Sequence, residues 1–221
     1  MAPGLPGTMM PYSVSVPITR RAVMPSRLRG GARLRCVNSV GRPEEQVAII
    51  DESGAVVGSA PRSVMRRDNL RHLVVAVLVR DSRGRIYVHR RTETKDVFPG
   101  LHDCFAAGCL QAREEVEEAA RREVAEELGV VGVPLSPLFV MRYDDDATRH
   151  LCHAFVVTYD GPITHQADEV AWGAWMTPDE LRDHLADPTW PFVPDGRVLI
   201  ERLLVIPAGP DRGQLPSTAP S

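Results

Sequence analysis

The sequence predicts an α+β domain. Short β-prone runs recur between turn signals from residue 44 to residue 176, one long amphipathic helix interrupts them at 114–128, and helix-start signals close the pattern. Val47–Asp51 and Ala55–Gly58 flank Glu52-Ser53-Gly54, a hairpin signal. Leu73–Arg80 (LVVAVLVR) is strongly β-prone and ends at the turn Asp81-Ser82-Arg83-Gly84. In Arg85–Arg91 the apolar Ile86 and Val88 alternate with polar neighbours, Phe98-Pro99-Gly100 breaks the chain, and a short strand around Asp103–Ala107 leads to Gly108. In 114–128 the residues Val116, Ala119, Ala120, Val124 and Leu128 recur mostly at helical spacing, and Gly129 stands where a helix C-terminus favours the left-handed conformation. Leu138–Tyr143, Leu151–Tyr159 and Val170–Met176 read as strands, the first two joined across Asp144-Asp145-Asp146. Thr177-Pro178-Asp179-Glu180 is a capping box that starts a helix to about Leu185, and Asp195 caps a final helix to roughly Val205.

Composition excludes several classes. The longest apolar run, Leu73–Val79, falls far short of the ~20 residues that cross a bilayer, so no membrane partner is expected and the location expected is cytoplasmic. Four cysteines (Cys36, Cys104, Cys109, Cys152) make no disulfide framework and contain no CxxC; His102, Cys104 and Cys109 lack a fourth ligand for zinc. The net charge of −3 hides a split. Residues 1–43 carry seven Arg and no acid among Pro, Gly and Ser, whereas the rest of the chain sets 19 basic against 29 acidic residues. The expected organisation is an Arg-rich disordered arm at 1–43, one domain at 44–206 and a disordered tail at 207–221. The arm has three readings that stay open: a transit peptide, a basic arm that touches nucleic acid, and a stretch upstream of the true start. None gives firm evidence for a nucleic-acid partner.

The chemistry lies in Gly108–Val130, GCLQAREEVEEAARREVAEELGV. Glu123, Glu126 and Glu127 stand at i, i+3 and i+4 on one helix, where like charges repel unless a cation lies among them. Closely set carboxylates suit a hard ion, Mg²⁺ with Mn²⁺ as the alternative, and such ions grip phosphate oxygens. Arg122 can pair with Glu126 or reach back to Glu114.

The segment resembles the signature of the Nudix hydrolase family: Gly108, then Glu114 after five residues, Arg122-Glu123 after seven more, Val124, Glu126-Glu127, Gly129 and Val130. His89–Lys95 with Pro99-Gly100 is similar to the loop before that box, and Asp168–Val170 with Trp175–Leu181 to the family's closing strand and helix. The resemblance implies a Nudix fold, an α/β/α sandwich around a mixed β-sheet with the box as loop–helix–loop. It implies metal ligation by Glu123 and Glu127, with Glu126 and the Gly108 carbonyl assisting, oriented by Arg122 and Glu114. Water would attack a phosphorus of a diphosphate, with Glu123 and Glu169 as alternative general bases. Arg90, Arg91 and Lys95 are candidates to bind substrate phosphates, and Trp172, Trp175 and Trp190 to stack on a base. The activity implied is Mg²⁺-dependent cleavage of a nucleoside diphosphate linked to another moiety; the partner is that small-molecule substrate, with a homodimer left open.

Two alternatives remain. Leu70-Arg71-His72, the Arg90–Lys95 loop and Pro99-Gly100 also resemble type 1 isopentenyl diphosphate isomerase, but Ala107 and Cys109 stand where that enzyme has its catalytic Cys and a metal-binding His. A non-catalytic Nudix sensor or regulator would have lost the box carboxylates, and here all are present.

Overall fold

Every strand and helix anticipated from periodicity occurs in the computed structural model, which describes residues 44–205; the arm at 1–43 and the tail at 207–221 lie outside the described residues. The order is β1 (Gln46–Ile50), β2 (Val56–Pro61), α1 (Arg62–Arg67), β3 (His72–Arg80), β4 (Ile86–Arg91), β5 (His102–Asp103), β6 (Phe105–Cys109), α2 (Val116–Leu128), β7 (Ser136–Asp144), β8 (Arg149–Thr158), β9 (Val170–Met176), α3 (Pro178–Ala186) and α4 (Pro194–Val205). The α+β class expected from the sequence is the class observed. Among the described residues no helix is long and apolar enough to cross a membrane.

Backbone contacts divide the chain into two units. Among the described residues, one holds 44–76 with Ala107–Glu123 and Pro137–Phe155; the other holds Val77–Ala106, Val124–Ser136 and 156–205. In the first unit β1 pairs antiparallel with β2, and Ile49 pairs with His72 at the start of β3. The loop after β6 docks on the same strand, since the Ala48 N–H donates to the Leu110 carbonyl at 2.9 Å. Val47, Met65 and Cys109 form a buried cluster with Ile49 and Leu70 against it, which removes their apolar area from water. In the second unit β4 lies between β5 and β9, both antiparallel to it. His102 on β5 makes a parallel bridge to Phe192, so the pairing is mixed. Helix α3 lies against α4 and β9, burying Leu181 and Leu185.

Two local departures have physical reasons. The strand expected around Asp103–Ala107 is split into β5 and β6, because Asp103 Oδ1 accepts the N–H groups of both Cys104 (2.7 Å) and Phe105 (3.1 Å). The box helix begins at Val116, not Glu114. Glu114 instead turns back and accepts the Gln111 N–H at 3.0 Å, ahead of the regular helix. At the other end Gly129 has φ +69°, and this left-handed turn lets the Val130 N–H bond back to the Val124 carbonyl at 3.2 Å.

The capping box at Thr177 forms as expected. Thr177 Oγ1 accepts the Glu180 N–H at 3.2 Å, and Glu180 Oε2 accepts the Thr177 N–H at 2.8 Å. Thr177→Ala is expected to lower stability by about 1 kcal/mol, read as a shift in the urea midpoint with an unchanged slope.

Candidate active site

The box opens where β6 ends. Gly108 is needed there for space: a Cβ at this position would overlap the Glu123 carboxylate. Backbone and carboxylate therefore meet with no side chain between them. Glu123 is 8 % exposed and Glu127 3 % exposed, and both stand on α2, about one turn apart. Glu126 is exposed, unlike Glu123 and Glu127 beside it on the helix. Helix geometry explains the difference, because i+4 nearly repeats the direction of Glu123 while i+3 falls short of it on the other side.

Arg122 braces this end of the box. Its Nε and Nη2 donate to the two carboxylate oxygens of Glu114 at 2.7 and 3.0 Å, and its Nη1 donates to Glu123 Oε1 at 2.5 Å. Nη2 also reaches the Cys109 carbonyl at 3.3 Å, beside Gly108. Such forked contacts fix direction as well as distance. Donating to the Glu114 carboxylate raises the Arg122 pKa further above its already high value, so the charge is permanent. Burial pushes the Glu114 carboxyl up, but the Arg122 and Gln111 hydrogen bonds outweigh it and hold the group below the usual carboxylate range. Arg122 therefore pairs with Glu114 and Glu123, the first of which was among its expected partners. Glu114→Gln removes the charge that orients Arg122, and activity is expected to fall about 10–100-fold in a steady-state assay of the folded variant.

The other predicted residues gather on the strands and loops around β4 and β9. Lys95 and Glu169 form an ion pair, largely shielded from solvent. The Thr92 N–H donates to the Glu169 carbonyl at 3.1 Å and Thr92 Oγ1 to the Asp168 carbonyl at 2.8 Å. The same segment is tied to the box helix, since the Gln166 N–H donates to the Glu127 carbonyl at 3.1 Å and the Glu169 N–H to the Gln166 carbonyl at 2.9 Å. The general-base candidate and a phosphate-binding candidate thus share one loop pair, anchored on Glu127. Arg90 donates through Nε to the Gly100 carbonyl at 3.0 Å and pairs with Glu93. Arg91 points its Nη2 to the Val97 carbonyl at 3.1 Å, so part of its hydrogen-bonding capacity shapes the loop itself.

Some features were not anticipated. His89 and Asp103 lie opposite each other across β4 and β5, both buried. Burial pushes the His89 pKa down to about 3 and the Asp103 carboxyl up to about 7, which disfavours the charged form of each. The rings of His102, Trp190, His184 and Trp172 also come together. Alternation along β4 hints at which residues share a face, but pairing register with β5 and β9 has no local signal. Cys104, Cys109 and Cys152 are buried free thiols. Among the described residues no group of three or more His, Cys, Asp or Glu side chains converges as a ready metal cage.

Residues 70–196 match the model of the NUDIX domain. The chain is 48% identical over 167 residues to an uncharacterized Nudix hydrolase, orf19, of Rhodococcus erythropolis, covering 71% of this chain and 90% of that protein. It is 42% identical over 137 residues to the uncharacterized Nudix hydrolase YfcD of Escherichia coli K12, covering 62% and 76%. The crystal structure of DR0079 from Deinococcus radiodurans is similar in fold, with a TM-score of 0.63 at 27% identity over 72% of this chain and 98% of that one. The chain belongs to the Nudix hydrolase family, whose members act on pyrophosphate bonds.

Proposed function

We propose that this chain is a Mg²⁺-dependent hydrolase that cleaves the diphosphate linkage of a nucleoside diphosphate joined to another moiety. The observation that carries this reading is the pair of buried carboxylates on one helix, Glu127 and Glu123, the latter held by Arg122 and given room by Gly108. Two carboxylates largely kept from water and one turn apart on a helix set oxygen donors close together. Hard oxygen donors suit Mg²⁺, with Mn²⁺ as a substitute, and Nudix hydrolases generally use such a divalent ion. Glu123, Glu127 and the Gly108 carbonyl would hold it, with Glu126 reaching in from the exposed side. When bound, the ion supplies Lewis acidity towards phosphoryl oxygens and lowers the pKa of water.

The chain's own residues supply the rest. Arg122 fixes the Glu123 carboxylate, and Glu114 fixes Arg122. Glu169 takes the proton from the attacking water, its loop anchored on the Glu127 carbonyl through Gln166. Lys95 and Arg91 bind the phosphate oxygens, Lys95 exchanging its contact with Glu169 for one with substrate. Attack breaks the phosphorus–oxygen anhydride bond and releases a nucleoside monophosphate and a phosphorylated partner.

The test is a screen of purified protein against nucleotide sugars, dinucleoside polyphosphates, NADH, ADP-ribose, coenzyme A and (deoxy)nucleoside triphosphates, with Mg²⁺ and with EDTA. Turnover of at least one of them, abolished by EDTA, is the expected result. Turnover that survives EDTA removes the metal from the mechanism. Conversion of isopentenyl to dimethylallyl diphosphate, with no hydrolysis, would favour the isomerase reading instead.

A further inference from the structure

Register places three side chains in a row across three strands. Arg90 on β4 pairs with Trp172 on β9 to one side and with His102 on β5 to the other, and directly paired residues project to the same face of a sheet. Around this row the aromatic rings form a corner. Trp172 stands edge-to-face with His102 at 6.2 Å and 87°, while His102 stacks on Trp190 at 5.0 Å and 26°. Trp190 is held from behind by His184 on α3, stacked at 4.8 Å, and by Phe192 at 4.9 Å. One wall is therefore a braced stack, and the other is Trp172, which is 46 % exposed. A large ring left open beside a packed set of rings is the form of a stacking platform.

We propose that this corner is the subsite for the nucleobase of the substrate, with the base stacked on Trp172 and its polar edge facing Arg90 and His102. The assignment rests on the nucleoside-diphosphate reading above and names the residues that recognise its base. Placement fits. Trp172 lies three residues beyond Glu169 on the same stretch, about 10 Å along an extended chain, a separation that the sugar and first phosphate of a nucleotide bridge. Polarity fits too. His102 Nδ1 is 3.1 Å from the Pro191 carbonyl; a carbonyl only accepts, so Nδ1 carries the proton. Burial and the nearby charge of Arg90 lower the His102 pKa, which favours a neutral ring with Nε2 as an acceptor. A donor (Arg90) and an acceptor (His102) beside an aromatic face match the mixed hydrogen-bonding edge of a base. An alkyl diphosphate would lay hydrocarbon against both polar groups and offer neither a hydrogen-bond partner, at a cost.

The experiment avoids turnover. AMP, GMP, CMP, UMP and ribose 5-phosphate are each titrated into the metal-free protein, followed by intrinsic tryptophan fluorescence and by calorimetry, for wild type, Trp172→Ala and Trp172→Phe. At least one nucleotide is expected to bind at least tenfold more tightly than ribose 5-phosphate. That advantage should be lost in Trp172→Ala and retained in Trp172→Phe, the size expected of one base–aromatic stack. If no nucleotide outbinds ribose 5-phosphate, or if the advantage survives Trp172→Ala, the assignment is wrong; tighter binding of isopentenyl diphosphate than of any nucleotide would also overturn it. Because the readout needs neither metal nor hydrolysis, base recognition and diphosphate cleavage can each fail without the other. Trp172 is half-exposed, so its truncation should leave the melting temperature nearly unchanged.

Discussion

Glu123→Gln is expected to lower turnover by about 100-fold or more while the protein folds normally. The amide keeps the shape of the side chain and one carbonyl oxygen able to accept from Arg122 Nη1, which now meets Glu123 Oε1 at 2.5 Å. What it loses is the negative charge. If that charge holds the divalent ion, the variant forfeits several kcal/mol of transition-state stabilisation, and each 1.4 kcal/mol is tenfold in rate. Steady-state kinetics at saturating Mg²⁺, with far-UV circular dichroism on the same samples, separate the two effects. Wild-type turnover in a folded Glu123→Gln protein would remove the residue from the mechanism.

Gly108→Ala is expected to be nearly as damaging to activity, by a different route. A single methyl group at this position overlaps the Glu123 carboxylate. The atoms it meets are the end of a side chain, so the helix need not move, and the loss of stability should stay near the 1–3 kcal/mol typical of overpacking. The carboxylate must move, however, and it is held by Arg122, which is itself held by Glu114. Displacing a group at the reacting centre by about 1 Å can cost ~100-fold. Gly108→Ala should therefore lose most activity while retaining a cooperative melt. A variant with wild-type turnover would show that the close approach of backbone and carboxylate has no catalytic purpose.

The parts of the site that were legible in the sequence are those governed by short spacings. Glu123 and Glu127 share a helix face because of the α-helical period. Gly129 ends that helix because it tolerates a positive φ, and Thr177 starts the next because its hydroxyl can accept an N–H. The Glu114–Arg122 pair spans two turns and was still within reach of spacing arguments. The structure places Glu126 in solvent, a consequence of its angle on the helix that the shared-face reading smoothed over. Helix α1, only six residues long, is too short to show a period. The break at Cys104 depends on a side-chain carboxylate competing for backbone N–H groups, which residue type alone does not announce. The Lys95–Glu169 pair and the Trp172–Arg90–His102 row arise from strand register and loop docking between distant segments. Nothing local specifies such pairings.

Mn²⁺ binding tests the role of the box carboxylates most directly, since it needs no knowledge of the substrate. Titrating Mn²⁺ into wild type, Glu127→Gln and the double variant Glu123→Gln/Glu127→Gln, with the free ion followed by electron paramagnetic resonance, should show saturable binding to wild type. Binding should be weakened at least tenfold in the single variant, the size expected when one charged ligand is lost, and abolished in the double variant. Equal Mn²⁺ binding by all three folded proteins would contradict the assignment of Glu123 and Glu127 as the metal ligands.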